Sequence, residues 1–333
     1  MQILKYFLSI IFSIVLFSCS NDKTTVEKEK ITTVYVGGIQ LINNLERATI
    51  WRNGVAQLLP TENANFSRVN AIYVDQDVIY AVGYEYFENA VSGRGRATLW
   101  INNEKITLQT NDSEAYSISI YKGSIYIAGH SNLIATSWKV TNNIIEKTSL
   151  AQIGPSVAKS IIKNDNGLFV AGQISLYGWI SSANFPLTFD QRSVAQSFFV
   201  QGNDEYVAVN FLDSNLKNTA KILKNGIVQN ALVYNTEINS IYGNKTTIYA
   251  VGITTTLSGI TKATIWENNI SRPLSQKSSI ATSVFCLNGI VYTCGFEYDT
   301  NFDSYSARLW TQGVLTELSN NPSFANAVFV TEQ

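Results

Sequence analysis

Two short stretches combine aromatic side chains with a carboxylate directly after a glycine. They are Tyr84-Glu85-Tyr86 and Phe296-Glu297-Tyr298. Aromatic rings can stack on a sugar ring, and a carboxylate beside them can accept hydrogen bonds from its hydroxyl groups. The same combination can anchor a protein partner. These six residues are therefore candidate ligand-binding residues. The alternative is structural: two related repeats share a strand extension that packs on its neighbour.

Four further polar residues are candidates for ligand binding. Arg94 and Arg96 lie in a glycine-rich loop, where they either clamp an acidic group or form a solvated loop tip. Asp299 extends the second aromatic stretch by one residue, and His130 is the only histidine of the chain. No partner for acid–base chemistry or for metal binding is visible near His130 in the sequence.

The motifs of common catalytic and metal sites are missing from the sequence. It has no Cys-x-x-Cys pair, no calcium loop of the Asp-x-Asp-x-Asp-Gly type and no Gly-x-Ser-x-Gly turn. A single histidine also leaves any serine triad only one candidate base. We therefore assign no catalytic residue, no metal and no cofactor. A glycosidase with two carboxylates stays open, because two separate loops can bring such a pair together.

The N-terminus predicts a bacterial lipoprotein. Lys5 precedes an apolar run over residues 6–17, which is too short to span a bilayer and fits the core of a signal peptide. Residues 16–19 read Leu-Phe-Ser-Cys and resemble the bacterial lipobox, in which cleavage leaves a lipidated cysteine, here Cys19, as the first residue. An ordinary signal peptide followed by an incidental cysteine is the alternative.

This assignment predicts the domain boundaries and the cellular location. Residues 1–18 are the signal peptide, residues 19–30 are the lipidated cysteine with a charged tether, and residues 31–333 are the folded domain. Each buried lipid methylene contributes about 0.8 kcal/mol, so acylated Cys19 would hold the protein in a membrane. We expect a lipid-anchored protein of the bacterial cell envelope, in the outer membrane.

The charge balance excludes nucleic acid as a partner. Removing Lys5 with the signal peptide leaves 23 of the 24 basic residues against 25 acidic ones, a net charge of −2. A nucleic-acid-binding surface needs clustered basic residues, which this chain lacks. We expect a monomer that binds a glycan or an envelope protein.

A repeat of about 40–45 residues, the length typical of propeller blades, runs through the chain. Each copy has a segment rich in small residues, a turn, and a segment that ends in glycine. The resulting glycine column is Gly38, Gly83, Gly129, Gly172, Asn210, Gly252 and Gly295. A second column is Trp51, Trp100, Trp138, Leu223, Trp266 and Trp310, with Trp179 as a substitute in the divergent fourth copy.

Each copy predicts four strands, A to D, because the apolar period is two rather than 3.6. Strand A is rich in small residues, B ends at the glycine, C carries the tryptophan, and D follows a tight turn such as Asn53-Gly54. The fold class is therefore all-β: a seven-bladed β-propeller with four antiparallel strands per blade. Residues 325–333, a lone strand A, should close the first blade against residues 31–38. We expect the tryptophans to pack between blades.

The repeats resemble those of kelch-like propellers and the HAF-type repeats of bacterial secreted proteins. The resemblance covers residues 31–333 and implies the fold only, since such propellers serve many functions. The kelch double glycine occurs only as Gly37-Gly38. We expect a binding scaffold for a glycan or a protein partner, with its site on the face of the B–C and D–A loops. One alternative is a hydrolase or lyase that acts on a polysaccharide at the same face, and another is a purely structural subunit of a surface assembly.

Cys286 and Cys294 lie on two strands joined by the turn Asn288-Gly289. A two-residue hairpin places the cysteines three positions apart along the strands and on opposite faces, roughly 10 Å from each other. A disulfide needs Cα atoms within about 7 Å, so we expect two free, buried thiols.

Overall fold

The computed structural model describes residues 30–88, 95–151, 154–182, 186–214, 217–231, 235–244 and 246–333. Cys19 and Arg94 lie outside these ranges. Within these ranges there is no helix with the length and apolar character needed to cross a membrane. The residues from Thr32 to Gln333 form one compact unit.

The described residues form an all-β structure of antiparallel strands, as predicted. The strands are β1 (Thr32–Ile42), β2 (Leu45–Arg52), β3 (Val55–Leu58), β4 (Phe66–Asp75), β5 (Val78–Tyr86), β6 (Arg96–Ile101), β7 (Glu104–Thr107), β8 (Ser113–Tyr121), β9 (Ser124–Ser131), β10 (Ile134–Thr141), β11 (Ile144–Ser149), β12 (Ser156–Asn164), β13 (Gly167–Ile174), β14 (Tyr177–Ser181), β15 (Leu187–Gln201), β16 (Asp204–Leu212), β17 (Asn218–Lys224), β18 (Ile227–Ala231), β19 (Thr236–Gly243), β20 (Ile248–Thr255), β21 (Thr261–Glu267), β22 (Ile270–Pro273), β23 (Ser279–Leu287), β24 (Ile290–Asp299), β25 (Ser304–Thr311), β26 (Val314–Glu317) and β27 (Ser323–Glu332).

The strands form six sheets in the described part of the chain, five with four strands and one with seven. We call each set of strands A to D a unit. Unit 1 is β27-β1-β2-β3, unit 2 is β4–β7, unit 3 is β8–β11, unit 6 is β19–β22 and unit 7 is β23–β26. The seven-stranded sheet β12–β18 contains units 4 and 5, which share β15.

The shared strand differs from the prediction of four separate strands per repeat. Leu187–Gln201 forms one strand of 15 residues, which ends unit 4 and begins unit 5. The segment contains no Gly or Pro, the residues that interrupt a strand most strongly. The backbone therefore continues from one unit into the next.

The two ends of the described chain pair as predicted. Strand β27 lies antiparallel to β1, with Thr32 opposite Glu332 and Gln40 opposite Ser323. The C-terminal strand thus supplies strand A to a unit whose other strands begin at Thr32, so this sheet depends on both ends of the sequence.

Apolar side chains pack between consecutive units. Seven clusters of described residues each combine residues of two units, and one of them joins unit 7 to unit 1. Each cluster contains one member of the second column: Trp51, Trp100, Trp138, Trp179, Leu223, Trp266 or Trp310. The predicted packing role of these residues is confirmed. Trp179 pairs with the glycine-column residue Gly172 itself, whereas Trp100 pairs with Ala81, two residues before Gly83.

The glycine column marks a close approach of two backbones. A Cβ atom on Gly83 would lie 1.8 Å from the carbonyl oxygen of Arg68, and five other column glycines face a strand A carbonyl in the same way. The fifth repeat departs from the predicted column. Val209, opposite Ala195, occupies the equivalent position, so the assignment of Asn210 was wrong by one residue. The sequence alone does not show this register.

A buried hydroxyl group joins each unit to the next. Every strand A carries a Ser or Thr, three residues before the residue that its pairing with strand B skips, that accepts the backbone N–H of a small residue in strand C of the preceding unit, at 2.8–3.3 Å. The pairs are Ser67 with Ala48, Ser113 with Ala97, Ser156 with Ala135, Ser193 with Gly178, Thr236 with Ala220, Ser279 with Ala263, and Ser323 with Ala307. The strand C residue of each pair is alanine or glycine, so a small side chain recurs at this contact.

The cysteine prediction is confirmed. Cys286 lies opposite Val291 and Cys294 opposite Ser283, and both cysteines are free and buried. They belong to clusters on opposite faces of unit 7. Burial raises the pKa of the Cys294 thiol to about 12, so the reactive thiolate is scarce at neutral pH.

The hydroxyl that joins two units should contribute measurably to stability. Ser279→Ala leaves the buried N–H of Ala263 without its acceptor, which costs about 1–3 kcal/mol. Urea unfolding measures the change in the free energy of unfolding. Ser271→Ala, on an exposed position of β22, is the matched control and should change it little. Equal stability of the two variants would contradict this role.

Candidate functional site

A cavity of about 440 Å³ lies where the A strands of all seven units meet. Its lining residues all belong to strands β4, β8, β12, β15, β19, β23 and β27. We call it the central cavity. Its volume lies within the usual range of small-molecule sites.

A β-bulge in each strand A turns one side chain toward this cavity. The pairing of strands A and B skips one strand A residue in every unit, next to the glycine column. The seven skipped residues are Asn326, Asn70, Tyr116, Lys159, Gln196, Asn239 and Thr282, in the order of units 1 to 7. All of them line the central cavity. Bulges commonly re-aim side chains at functional sites.

In four consecutive units the bulge residue is short and braces the next unit. Asn239, Thr282, Asn326 and Asn70, of units 6, 7, 1 and 2, each donate a side-chain hydrogen bond of 2.7–2.8 Å to a backbone carbonyl of the following strand A. The bonds have the same geometry because the residues occupy the same position in each unit. On this side of the cavity, the bulge side chains hold the innermost strands together.

Units 3, 4 and 5 replace the brace with long side chains: Tyr116, Lys159 and Gln196. In unit 5 another residue forms the missing bridge. Asn210 of strand B donates to the Ile238 carbonyl at 2.9 Å and accepts the Ile238 N–H at 2.8 Å. The bridge to unit 6 is therefore kept although Gln196, a lining residue of the cavity, does not form it. Sequence analysis missed this role of Asn210, because it placed this residue in the glycine column itself.

Lys159 carries the one charged side chain among the described residues that line the central cavity. Its Nζ atom lies 4.0 Å from the ring centroid of Tyr116, a cation–π contact. Burial lowers the pKa of the Lys159 amine, and the nearby Glu114 carboxylate offsets only part of this effect. The ion pairs within 4.0 Å among the described residues do not include Lys159. The half-buried Lys159 amine thus has no carboxylate within ion-pair distance among the described residues.

Tyr116 connects Lys159 to Glu114 and His130. Its hydroxyl donates a hydrogen bond of 2.5 Å to Glu114 Oε2, and its ring stacks on His130 with centroids 5.9 Å apart. Burial, followed by the Glu114 charge, raises the pKa of Tyr116, so the phenol stays protonated. A side cavity of about 250 Å³ is lined by Tyr116, His130 and Lys159 together with residues of unit 4 such as Gln173.

Of the predicted residues, His130 and Tyr84 lie nearest to this group. His130 borders the side cavity. Tyr84 packs edge-on against Phe66 at 5.2 Å, and its pKa is raised by burial first and then by Glu114. The guanidinium carbon of Arg96 lies 4.1 Å from the centroid of the Phe87 ring, a cation–π contact. Arg96 is therefore not part of a solvated loop tip.

The two predicted glutamates are buried in ion pairs. Glu85 accepts from Lys105 at 3.1 Å, and Glu297 accepts from Ser275 at 2.5 Å and pairs with Lys277 at 3.2 Å. Both glutamates lie opposite the first hydroxyl of their strand A, so they occupy equivalent positions in units 2 and 7. This arrangement matches the alternative in which the two repeats share a packed strand extension.

The second aromatic stretch belongs to an aromatic patch, which we define as Phe296, Tyr298, Tyr305 and Phe324. Its ring centroids lie 4.8–6.0 Å apart, and all four rings are half-buried. Asp299 lies beside the patch and pairs with buried Arg308 at 3.0 Å. The backbone N–H of Asn301, and then Arg308, lower the pKa of Asp299. In the first aromatic stretch, the ring centroid of Tyr86 lies 6.4 Å from that of Phe66.

The described ranges contain no group of three or more His, Cys, Asp or Glu side chains placed to hold a metal ion. The chemistry of the central cavity is that of amides, hydroxyls and one amine. Such groups bind polar ligands by hydrogen bonds and charge.

Comparisons with known proteins support the fold. No protein-family model and no curated protein match the sequence. The β-propeller domain of the Trilobed protease from Pyrococcus furiosus is similar, with a TM-score of 0.50 and 13% identity over 77% of this chain and 84% of that one. A chain of the Mitotic Checkpoint Complex has a TM-score of 0.50 and 12% identity over 88% and 95% of the two chains. AofleA from Arthrobotrys oligospora has a TM-score of 0.48 and 12% identity over 79% and 88%.

At these identities the similarity concerns architecture alone. The chain has an all-β repeat fold of the propeller kind.

The buried charge of Lys159 should lower the stability of the protein. Burial lowers the pKa of Lys159 in the folded state below the ordinary lysine pKa. Between these two pKa values the unfolded chain binds more protons than the folded one, so the free energy of unfolding rises with pH in this window. Lys159→Met should therefore raise Tm at neutral pH, by about 2 °C for each kcal/mol of penalty removed. The gain should shrink as pH rises through this window.

Thermal unfolding from pH 7 upward measures this difference. Lys122→Met, at an exposed lysine in unit 3, serves as the control. A lower Tm for Lys159→Met at pH 7 would show that the amine stabilises the fold and would refute the prediction.

Proposed function

We propose that the protein is a lipid-anchored binding protein of the bacterial cell envelope, whose propeller binds a polar ligand in its central cavity. Residues 1–18 serve as the signal peptide, Cys19 carries the lipid, and residues 20–30 form the tether. The lipid anchor and the tether then hold the folded domain at the membrane surface, where it binds its ligand. We infer the outer membrane as the location of the anchored protein.

We infer that the seven units are the blades of one closed propeller with kelch-like repeats. The pairing of β27 with β1 supports closure, and so does the cluster that joins units 7 and 1. The shared strand β15 does not reduce the count, because units 4 and 5 each keep their own strands B and C. A cavity lined by strand A of every unit is consistent with the axial channel of such a ring.

The observation that carries the binding function is the break in the bulge pattern. A channel with a structural role alone would repeat the short brace in every unit, since the same bond is available at each bulge. Three consecutive units instead place Tyr116, Lys159 and Gln196 on one wall, and Asn210 restores the bridge that Gln196 omits. Buried amines and displaced braces lower stability, so their presence favours a ligand-binding role.

The ligand enters from the face of the B–C and D–A loops. Three residues beyond the bulge, rings of consecutive units contact one another, with centroids 4.6–5.1 Å apart. They are Tyr73, Phe329, Phe285, Tyr242 and Phe199. These contacting rings lie between the bulges and the A–B turns, so they occupy the opposite end of the A strands. The side cavity and Tyr84 lie at the other end of strand A.

The alternative of a polysaccharide hydrolase or lyase receives less support. A two-carboxylate mechanism needs a pair of acidic groups facing the substrate. The described lining of the central cavity contains no Asp or Glu, and Glu114 nearby is bonded to the Tyr116 hydroxyl. Glu85 and Glu297 are paired with lysines. A binding protein remains the function that this chemistry supports best.

A glycan-array screen of the full-length protein in detergent tests the binding function. Gln196→Ala should weaken binding of any glycan found by about tenfold, the effect of losing one or two hydrogen bonds. Gln229→Ala, at an exposed position of β18, is the control and should bind normally. Binding that survives Gln196→Ala but is lost in Phe296→Ala would move the site from the cavity to the aromatic patch.

The lipid anchor has a separate test. Cys19→Ala removes the acyl acceptor, so the protein should leave the membrane fraction and no longer incorporate radiolabelled palmitate. Cell fractionation of the wild-type and variant proteins measures this change, with Cys286→Ala as the control. Membrane association that persists in Cys19→Ala would refute lipid anchoring at this residue.

A further inference from the structure

We propose that the ligand of the central cavity carries a carboxylate on a hydroxylated ring, as an acidic sugar unit does, and that Lys159 binds this carboxylate. The inference rests on the proposed binding function and names its ligand class. It follows from three properties of the cavity: its charge, its free acceptors and its single amine.

The charge of the cavity is unbalanced. Among the described lining residues, Lys159 is the one ionisable side chain that is positive at neutral pH, and no negative one accompanies it. A buried ammonium group is costly unless an anion pairs with it. Its neighbour Tyr116 supplies a ring face, and the closest acid, Glu114, already accepts the Tyr116 hydroxyl. A ligand carboxylate would provide the missing partner and make a charge-assisted hydrogen bond.

The opposite wall offers hydrogen-bond acceptors. Asn70, Asn239 and Asn326 each donate their amide nitrogen to a backbone carbonyl, and this bond fixes the orientation of the amide. Each Oδ1 oxygen therefore stays an acceptor, and the bonds of the described residues include no donor to any of the three. Ligand hydroxyl groups are suitable donors. A sugar ring with a carboxylate on one side and hydroxyl groups on the other can bond both the Lys159 amine and the asparagine oxygens.

A single amine favours a carboxylate over a phosphate. Phosphate sites usually combine several cationic groups or backbone N–H groups of a helix N-terminus. The described lining of the central cavity has one cation and no helix. A monoanion matches this site better than a dianion.

Isothermal titration of the full-length protein in detergent compares galacturonic acid with galactose, which differ by the carboxylate. We expect galacturonic acid to bind at least tenfold more tightly. Inorganic phosphate is the third probe and should bind weakly. Lys159→Met should abolish the preference for the acid, whereas Lys122→Met should keep it.

A pH series on the wild-type protein provides a second measurement that needs no variant. Affinity for galacturonic acid should fall as Lys159 deprotonates at alkaline pH, and affinity for galactose should not.

The outcomes separate this inference from the proposed function. Equal binding of the acid and the neutral sugar, or an acid preference unchanged in Lys159→Met, would overturn the carboxylate assignment while cavity binding stands. Phosphate binding as tight as that of galacturonic acid would also overturn it. If the glycan array shows no binding and neither sugar binds, the proposed function fails as well.

Discussion

The same irregularity in the pairing of strands A and B recurs in every unit and sets up the remaining features of this protein. Where the glycine column meets strand A, a carbonyl oxygen lies about where a side chain would begin, as Gly83 and Arg68 show. The ladder then skips one strand A residue at that point. Because the skip recurs in every unit, it turns one side chain per unit toward the same cavity. The geometry of the backbone thus creates a ring of variable positions within a repeated scaffold.

The residue at each bulge decides whether neighbouring A strands are connected at that point. Short Asn and Thr side chains in four consecutive units connect neighbouring A strands. The long side chains of the other three units do not form these bonds, and they place a phenol, an amine and an amide on one wall of the cavity. The hydroxyl groups that join strand A to the preceding strand C, such as Ser279 with Ala263, are kept in every unit. The scaffold therefore tolerates the loss of the braces.

Much of the fold was predictable from the sequence, because it depends on local patterns. Period-two alternation, the glycine and tryptophan columns and the turn residues predicted the strands, the packing of Trp100 and the pairing of the chain ends. The continuous strand β15 was missed, since it depends on turn residues being absent rather than present. The shift from Asn210 to Val209 was missed because a bulge changes the register without leaving a sequence signature.

The site was harder to predict because it depends on register and on contacts between distant units. Lys159 and Tyr116 are 43 residues apart, and nothing near Lys159 in sequence indicates that its amine lies over a tyrosine ring. The aromatic–Glu–Tyr stretches were conspicuous, yet their glutamates pair with Lys105 and Lys277. His130 was noticed as the single histidine, whereas its stacking on Tyr116 required the folded chain.

A crystal structure of the protein soaked with a carboxylated sugar tests the central claim most directly, because it locates the bound molecule without reference to affinity. The account predicts electron density inside the ring of bulge residues, with a carboxylate oxygen about 3 Å from Lys159 Nζ and ring hydroxyls facing the asparagine oxygens. Density confined to the aromatic patch around Phe296, beside an empty cavity, would contradict it.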